Sequence, residues 1–325
     1  MVNHSYSIDL LRGVAAFGIV ACHLNLGTMT DGAWTLRWYG DMFVGLFAAL
    51  SGYLMAVTMK RVSDAEGTWA AWWRYARKRM SRILSVYVFW SLVYVAFGFA
   101  FDLLVRHGIN PKWSSEGFIY QVVFWGDAAT HLWFPISLLY GQLVFGLAFL
   151  VFYRANGLTW MALGALLLGI PICLGGVWLA YYPLRVFAFL VTGYGLGRLS
   201  QTSVKWLGLW TLILVAALAI HFFAATAIHA FLRDWLVVVP LLIVAVGVEL
   251  PKRLLPVAAV LGATSMGVFL VHPLFAAGFR LLIWKLRPAP YGIFPVAVDW
   301  LAVWLVAFAS TLVMLRIPLM RKFVR

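Results

Sequence analysis

Three ionisable residues stand in the first apolar run of the chain, SIDLLRGVAAFGIVACHLNL at 7–26: Asp9, Arg12 and His23. On an α-helix Asp9 and Arg12, three residues apart, share one face. Arg12 and His23 come back to within about 20° of one another, separated by roughly 16 Å along the axis. The three therefore form a single polar stripe. Lipid exposure of such a stripe is costly, so it belongs inside a helix bundle or along a wet cavity. Two roles are open to it. An imidazole at membrane depth can take a proton as a general base, with Asp9 and Arg12 organising the helix start. Alternatively, Asp9 and Arg12 are an ion pair at the helix entrance, and His23 is an interfacial residue bonded to a carbonyl.

A second cationic group lies in WWRYARKRMSRILSVY at 72–87, which carries Arg74, Arg77, Lys78, Arg79 and Arg82. If this segment is helical, Arg79 and Arg82 share a face, and two adjacent guanidiniums make a fork for phosphate. The competing reading is topology-setting charge beside anionic headgroups. Arg82 opens an apolar run. Ser51, Gly52 and Tyr53 interrupt the second apolar run, LFAALSGYLMA, where small residues admit close helix packing. His131 opens HLWFPISLLYGQ, and its plainest role is an interface anchor beside Trp133. His272 precedes Pro273 in TSMGVFLVHPLF, where the proline frees a carbonyl for His272 or water to satisfy. His4, His107, His221 and His229 have no motif around them. No zinc-ligand spacing, Gly-x-Ser-x-Gly elbow or phosphate-binding loop occurs.

The elements that carry these residues follow from composition. The chain has 325 residues, 64% apolar and only 11% charged, and apolar runs of membrane-spanning length recur throughout. That pattern predicts an all-α, polytopic transmembrane bundle, not a large soluble core. Its 17 Trp and 13 Tyr fit interfacial belts. Ten spans are expected, near 8–26, 41–59, 83–101, 132–153, 158–180, 184–199, 206–227, 235–250, 257–283 and 296–315, in one membrane domain over 1–325. The stretch 158–199 admits a different division around Tyr181-Tyr182-Pro183, and Arg185 is counted with the external charges. Most of the 25 basic residues fall on one side of this arrangement. The bias puts both termini in the cytoplasm, makes 60–82 the longest cytoplasmic loop and makes 102–131 the longest external one. It also accounts for the formal charge of +14 without nucleic acid. Cys22 and Cys173 lie inside apolar runs and offer neither a disulfide framework nor a metal site. No cleavable signal peptide and no internal repeat are expected.

Taken together, these segments resemble the acyltransferase-3 family of bacterial integral membrane acyltransferases. SIDLLRGVAAFGIVACHL is similar to the family's opening segment, with its acid, Arg and His at this spacing. FVGLFAALSGYLMA is similar to its second span, and RKRMSRILSVY to its Arg-x-x-Arg motif, matched at Arg79 and Arg82. HLWF and LGATSMGVFLVHPLF are similar to two later blocks, matched at His131 to Phe134 and at Gly262 to His272. Some members carry a Glu shortly after the His-Leu-Trp-Phe block; here PISLLYGQ has none. Some carry an esterase-like extension, which this sequence is expected to lack.

The resemblance implies a multi-pass protein of the bacterial inner membrane. It implies transfer of an acyl group, commonly acetyl, from cytoplasmic acyl-coenzyme A to a hydroxyl of a glycan or lipid-linked sugar. No metal is implied. In that scheme Arg79 and Arg82 hold the coenzyme phosphates, and Asp9, Arg12 and His23 form the catalytic stripe. His23 is then the general base or a transient acyl carrier. His131, Trp133, His272 and Ser51 are substrate-binding candidates. Two other classes compete with this scheme. A flippase or transporter of a lipid-linked sugar should show repeat symmetry. A non-catalytic scaffold leaves the stripe unexplained.

Overall fold

The computed structural model describes residues 6–23, 31–66, 68–105, 107, 117–118, 121–122, 131–152, 154–173, 178–199, 209–210, 212–213, 215–216, 230–286 and 293–324. Within them the elements are α1 (Tyr6–Cys22), α2 (Asp31–Glu66), α3 (Thr68–Val105), α4 (Trp133–Phe152), α5 (Gly157–Cys173) and α6 (Trp178–Arg198). Then follow α7 (Ala230–Gly247), a 3₁₀ turn (Lys252–Leu254), α8 (Leu255–Leu286), α9 (Ile293–Arg316) and α10 (Pro318–Val324). No strand occurs among the described residues, as an all-α chain requires.

Five stretches are long and apolar enough to cross a bilayer: Met42–Met59, Trp72–Leu104, Trp133–Phe152, Lys252–Phe279 and Val296–Arg316. Each overlaps one of the expected spans. Gly157–Gly169 and Asp234–Gly247 are apolar but shorter, and α1 has 17 residues. The expected span 206–227 lies largely outside the described residues.

Two expected boundaries change. Residues 60–82, read as a cytoplasmic loop, are almost wholly helical: α2 runs on to Glu66 and α3 begins at Thr68. The stretch has no proline and is rich in Ala, Arg and Lys, so helix propensity carries both helices beyond their apolar parts. Likewise α6 starts at Trp178 and continues through Pro183. Pro183 lies past the first turn, so the helix forgoes one intrahelical hydrogen bond there without ending. Arg185 is therefore well inside the helix and 1% exposed.

Small residues set the contacts. A Cβ on Gly52 would stand 1.9 Å from the Leu190 carbonyl oxygen, and one on Gly193 would stand 1.8 Å from that of Ala49. Here α2 and α6 touch backbone to backbone, as small residues permit. Gly45 meets Phe189, Ala49 meets Gly193 and Gly197 meets Ala56, so the two helices run parallel. Similarly, Asp9 packs on Gly262 and His23 lies against His272, so α1 and α8 are parallel.

Contacts along its length fix α1. The Ser7 hydroxyl donates to the Val248 carbonyl. Trp300 Nε1 donates to the Phe17 carbonyl at 2.7 Å, and the Trp300 ring stacks on Phe17 at 4.3 Å. Gly18 seats the ring of Phe43 from α2. The short α10 turns back onto α3, where Trp90 Nε1 donates to the Phe323 carbonyl at 2.9 Å and Phe89 stacks on Phe323.

Candidate active site

One end of α1 is cationic. Arg12 Nη1 and Asp9 Oδ1 are 3.5 Å apart, so the i,i+3 pair exists but is looser than a charge-assisted hydrogen bond. The long α3 brings Arg79 and Arg82 within electrostatic reach of Arg12. The helical condition on their spacing is met, since α3 is continuous across both. Arg79 is half-buried, and its Nε is enclosed without a hydrogen-bond partner among the described residues. Arg82 is exposed. Within this group of four, three guanidiniums face one carboxylate. Like charges crowded in a partly desolvated site repel one another, and a bound anion offsets that repulsion. The fork foreseen from Arg79 and Arg82 thus gains Arg12 as a third member.

The other end of α1 is a cluster of imidazoles. His23 sits on the turn that closes the helix, where its N–H donates to the Val20 carbonyl at 3.2 Å. Its ring centre is 5.0 Å from that of His272 and 6.1 Å from that of His131, and His131 and His272 are 5.8 Å apart. His131 is 1% exposed and His272 fully buried, whereas His23 is half-buried. Tyr94 packs on His131 at 4.8 Å, and Phe269 closes the side at 5.5 Å. Both ring nitrogens of His131 and Nε2 of His272 are enclosed without a hydrogen-bond partner among the described residues. The Leu270 carbonyl approaches the His131 ring but accepts from the Tyr94 hydroxyl at 2.7 Å. Enclosed polar atoms of this kind call for a partner, either water or a ligand. No group of His, Cys, Asp or Glu among the described residues is arranged to hold a metal ion.

The sequence-predicted residues thus divide between two places. Asp9, Arg12, Arg79 and Arg82 gather at the start of α1; His23, His131 and His272 gather at its end. His131 is no interface anchor, because it lies in the interior. Trp133 follows it at the start of α4, half-buried against Phe134. Ser51 stands apart from the histidines. It lies eight residues along α2 from Phe43, which meets Gly18, so in the hairpin of α1 and α2 it is level with the Arg12 end.

Sequence reading missed two features. Tyr94 reads as one more aromatic on an apolar face, and nothing local announces its contact with His131. Arg185 pairs with Asp234 at 2.6 Å, with both side chains buried. Beside them Trp235 Nε1 donates to Thr192 Oγ1 at 3.1 Å. The separation of Arg185 and Asp234 in the chain left no signal for their pairing.

Long apolar helices, packed through glycines around a polar interior with a cationic end and an imidazole end, define a helical membrane protein. The chain belongs to the acyltransferase-3 family: the family's acyltransferase domain matches residues 5–316. No curated protein and no solved structure matches the chain significantly. Membership makes it an acyltransferase, which requires an acyl donor and an acceptor.

Proposed function

We propose that this protein moves an acyl group, acetyl in the first instance, from cytoplasmic acyl-coenzyme A to a hydroxyl of a surface glycan or lipid-linked sugar at the bacterial inner membrane. The observation that carries the proposal is the pairing of two clusters by one helix. Three guanidiniums gather at one end of α1, and enclosed imidazoles stand at the other, roughly 16 Å further along by helical rise. The coenzyme supplies an activated acyl thioester on a long, flexible arm. Arg12, Arg79 and Arg82 hold its phosphates, and the arm runs beside α1 towards His23. Ser51, level with Arg12, lines the donor side.

At the histidine end His23 acts as general base. It takes the proton of the acceptor hydroxyl as the acyl carbon–oxygen bond forms and the carbon–sulfur bond breaks. The proton then passes to the departing thiolate, so the cycle closes without net change in the protein. His131 offers polar nitrogens to the acceptor sugar, His272 shapes the same side of the site from behind His23, and Trp133 borders it at the start of α4. Transport of a lipid-linked sugar, the competing reading, needs no proton-accepting imidazole opposite the cationic end.

The test is transfer of label from acetyl-coenzyme A to glycan by the protein in lipid nanodiscs. His23→Ala should reduce the rate by roughly 10²–10⁴-fold, the usual worth of a positioned general base. Near-normal transfer by that variant would remove His23 from the chemistry. Mass analysis of surface glycans from a strain lacking the protein should show the lost acyl mass and so identify the acceptor.

A further inference from the structure

His272 has its proton placed by the fold. Its Nδ1 lies 3.0 Å from the Val268 carbonyl oxygen, one turn back on α8. A carbonyl only accepts, so Nδ1 carries the hydrogen and Nε2 of the neutral ring is left with a lone pair. That Nε2 is fully enclosed and has no hydrogen-bond partner among the described residues. Pro273 contributes to this arrangement. Having no N–H, it leaves the Phe269 carbonyl without its helical donor, which loosens the turn on which His272 sits.

The distances select which neighbour this lone pair serves. Each imidazole nitrogen stands roughly 1 Å from its ring centre, so facing nitrogens of His23 and His272 would be about 3 Å apart, within hydrogen-bond range. The 5.8 Å between His272 and His131 leaves a wider gap. The rings of His23 and His272 are tilted by 47°, and alignment of the facing nitrogens requires the His23 ring to turn. His23 is half-buried on a terminal turn, whereas His272 is fully buried inside α8.

We propose that His272 is a positioning residue for His23: its Nε2 accepts a hydrogen bond from the His23 ring, fixing the tautomer and the direction of the His23 nitrogen that takes the hydroxyl proton. The role is that of the orienting group in a nucleophile–base–orienter arrangement, filled here by a neutral imidazole in a setting where a buried carboxylate would be costly to maintain. It rests on the reading of His23 as base. His272 does not touch the reacting atoms. The hydroxyl proton goes to His23 and then to the thiolate, while the His23–His272 hydrogen stays on His23.

The experiment uses His272→Ala, His272→Gln, His23→Ala and the double alanine variant in nanodiscs, with labelled acetyl-coenzyme A and glycan acceptor. His272→Ala should lower kcat on the order of 10²-fold. That is less than the ~10⁴ lost when a charged orienting carboxylate is altered, since the acceptor here is neutral. KM for acetyl-coenzyme A should stay constant, because the phosphate site is at the other end of α1. His272→Gln keeps an acceptor oxygen near the position of Nε2 and should restore most of the rate. Adding His272→Ala to His23→Ala should cost nothing further. If His272→Ala does not insert, His272→Leu and His272→Gln, which are close in volume, make the same comparison. Wild-type kcat in His272→Ala, equal loss in the Gln and Leu variants, or a loss that adds fully to that of His23→Ala overturns the proposal. Normal transfer by His23→Ala instead removes the base on which it rests, so the two failures are told apart.

Discussion

Replacing Arg79 by Gln gives the sharpest test of the cationic end. Arg79 is half-buried, its Nε has no hydrogen-bond partner among the described residues, and it shares the site with Arg12 and Arg82. A hydrogen bond from a charged donor contributes roughly 1.5–3 kcal/mol when the site is shielded from water. At about 1.4 kcal/mol per tenfold, the variant should bind acetyl-coenzyme A roughly 10- to 100-fold more weakly. Arg82 is exposed, so solvent and salt screen it, and Arg82→Gln should weaken binding by less than about fivefold. Arg79→Lys keeps the charge but loses the planar fork and should fall between wild type and Arg79→Gln. Stability should move the other way. Three guanidiniums repel one another when no anion is bound, so removing one should leave the thermal midpoint of the ligand-free protein unchanged or raised. The assay is calorimetric titration of acetyl-coenzyme A into nanodisc-held protein at low and high salt, beside thermal unfolding. Unchanged affinity in Arg79→Gln, or a larger loss in Arg82→Gln, would refute the clamp. A fall in the midpoint would mark Arg79 as structural.

Two further outcomes concern the scaffold. Removing one member of the buried Arg185–Asp234 pair, by Arg185→Ala or Asp234→Ala, should destabilise the protein by roughly 3–5 kcal/mol, because the remaining buried charge loses its 2.6 Å counter-charge. Arg185→Met with Asp234→Leu should recover most of that loss, as read by unfolding in detergent; a double variant no better than the singles would show that the pair does more than offset charge. Gly193→Ala places a methyl group against the Ala49 carbonyl oxygen at the α2–α6 seam and should lower the yield of folded protein. Gly278→Ala, with open space around its Cβ, should not, and equal yields of the two would argue against a tight seam.

Much of the cationic end was legible in the sequence because it is local. The spacing of Asp9 and Arg12 alone fixes their pairing once the segment is helical, and the spacing of Arg79 and Arg82 does the same on α3. The histidine end was legible only in part. Each of His131 and His272 stood out as a polar residue in an apolar run, yet the plain role assigned to His131, an anchor at the membrane surface, differs from its place in the interior. Helical periodicity says which face of a helix a residue occupies; it does not say which other helix meets that face.

By itself the sequence determined an all-helical membrane chain with a polar stripe on its first helix. Those features follow from apolar run length, helical spacing and the cost of exposing backbone and charge to lipid. The tertiary structure decided that Arg12 joins Arg79 and Arg82, that His23 meets His131 and His272, and that Arg185 is buried against Asp234. It decided these because glycines at the α1–α8 and α2–α6 seams fix register between helices far apart in the chain, and register between helices is a property of packed surfaces that no single segment contains.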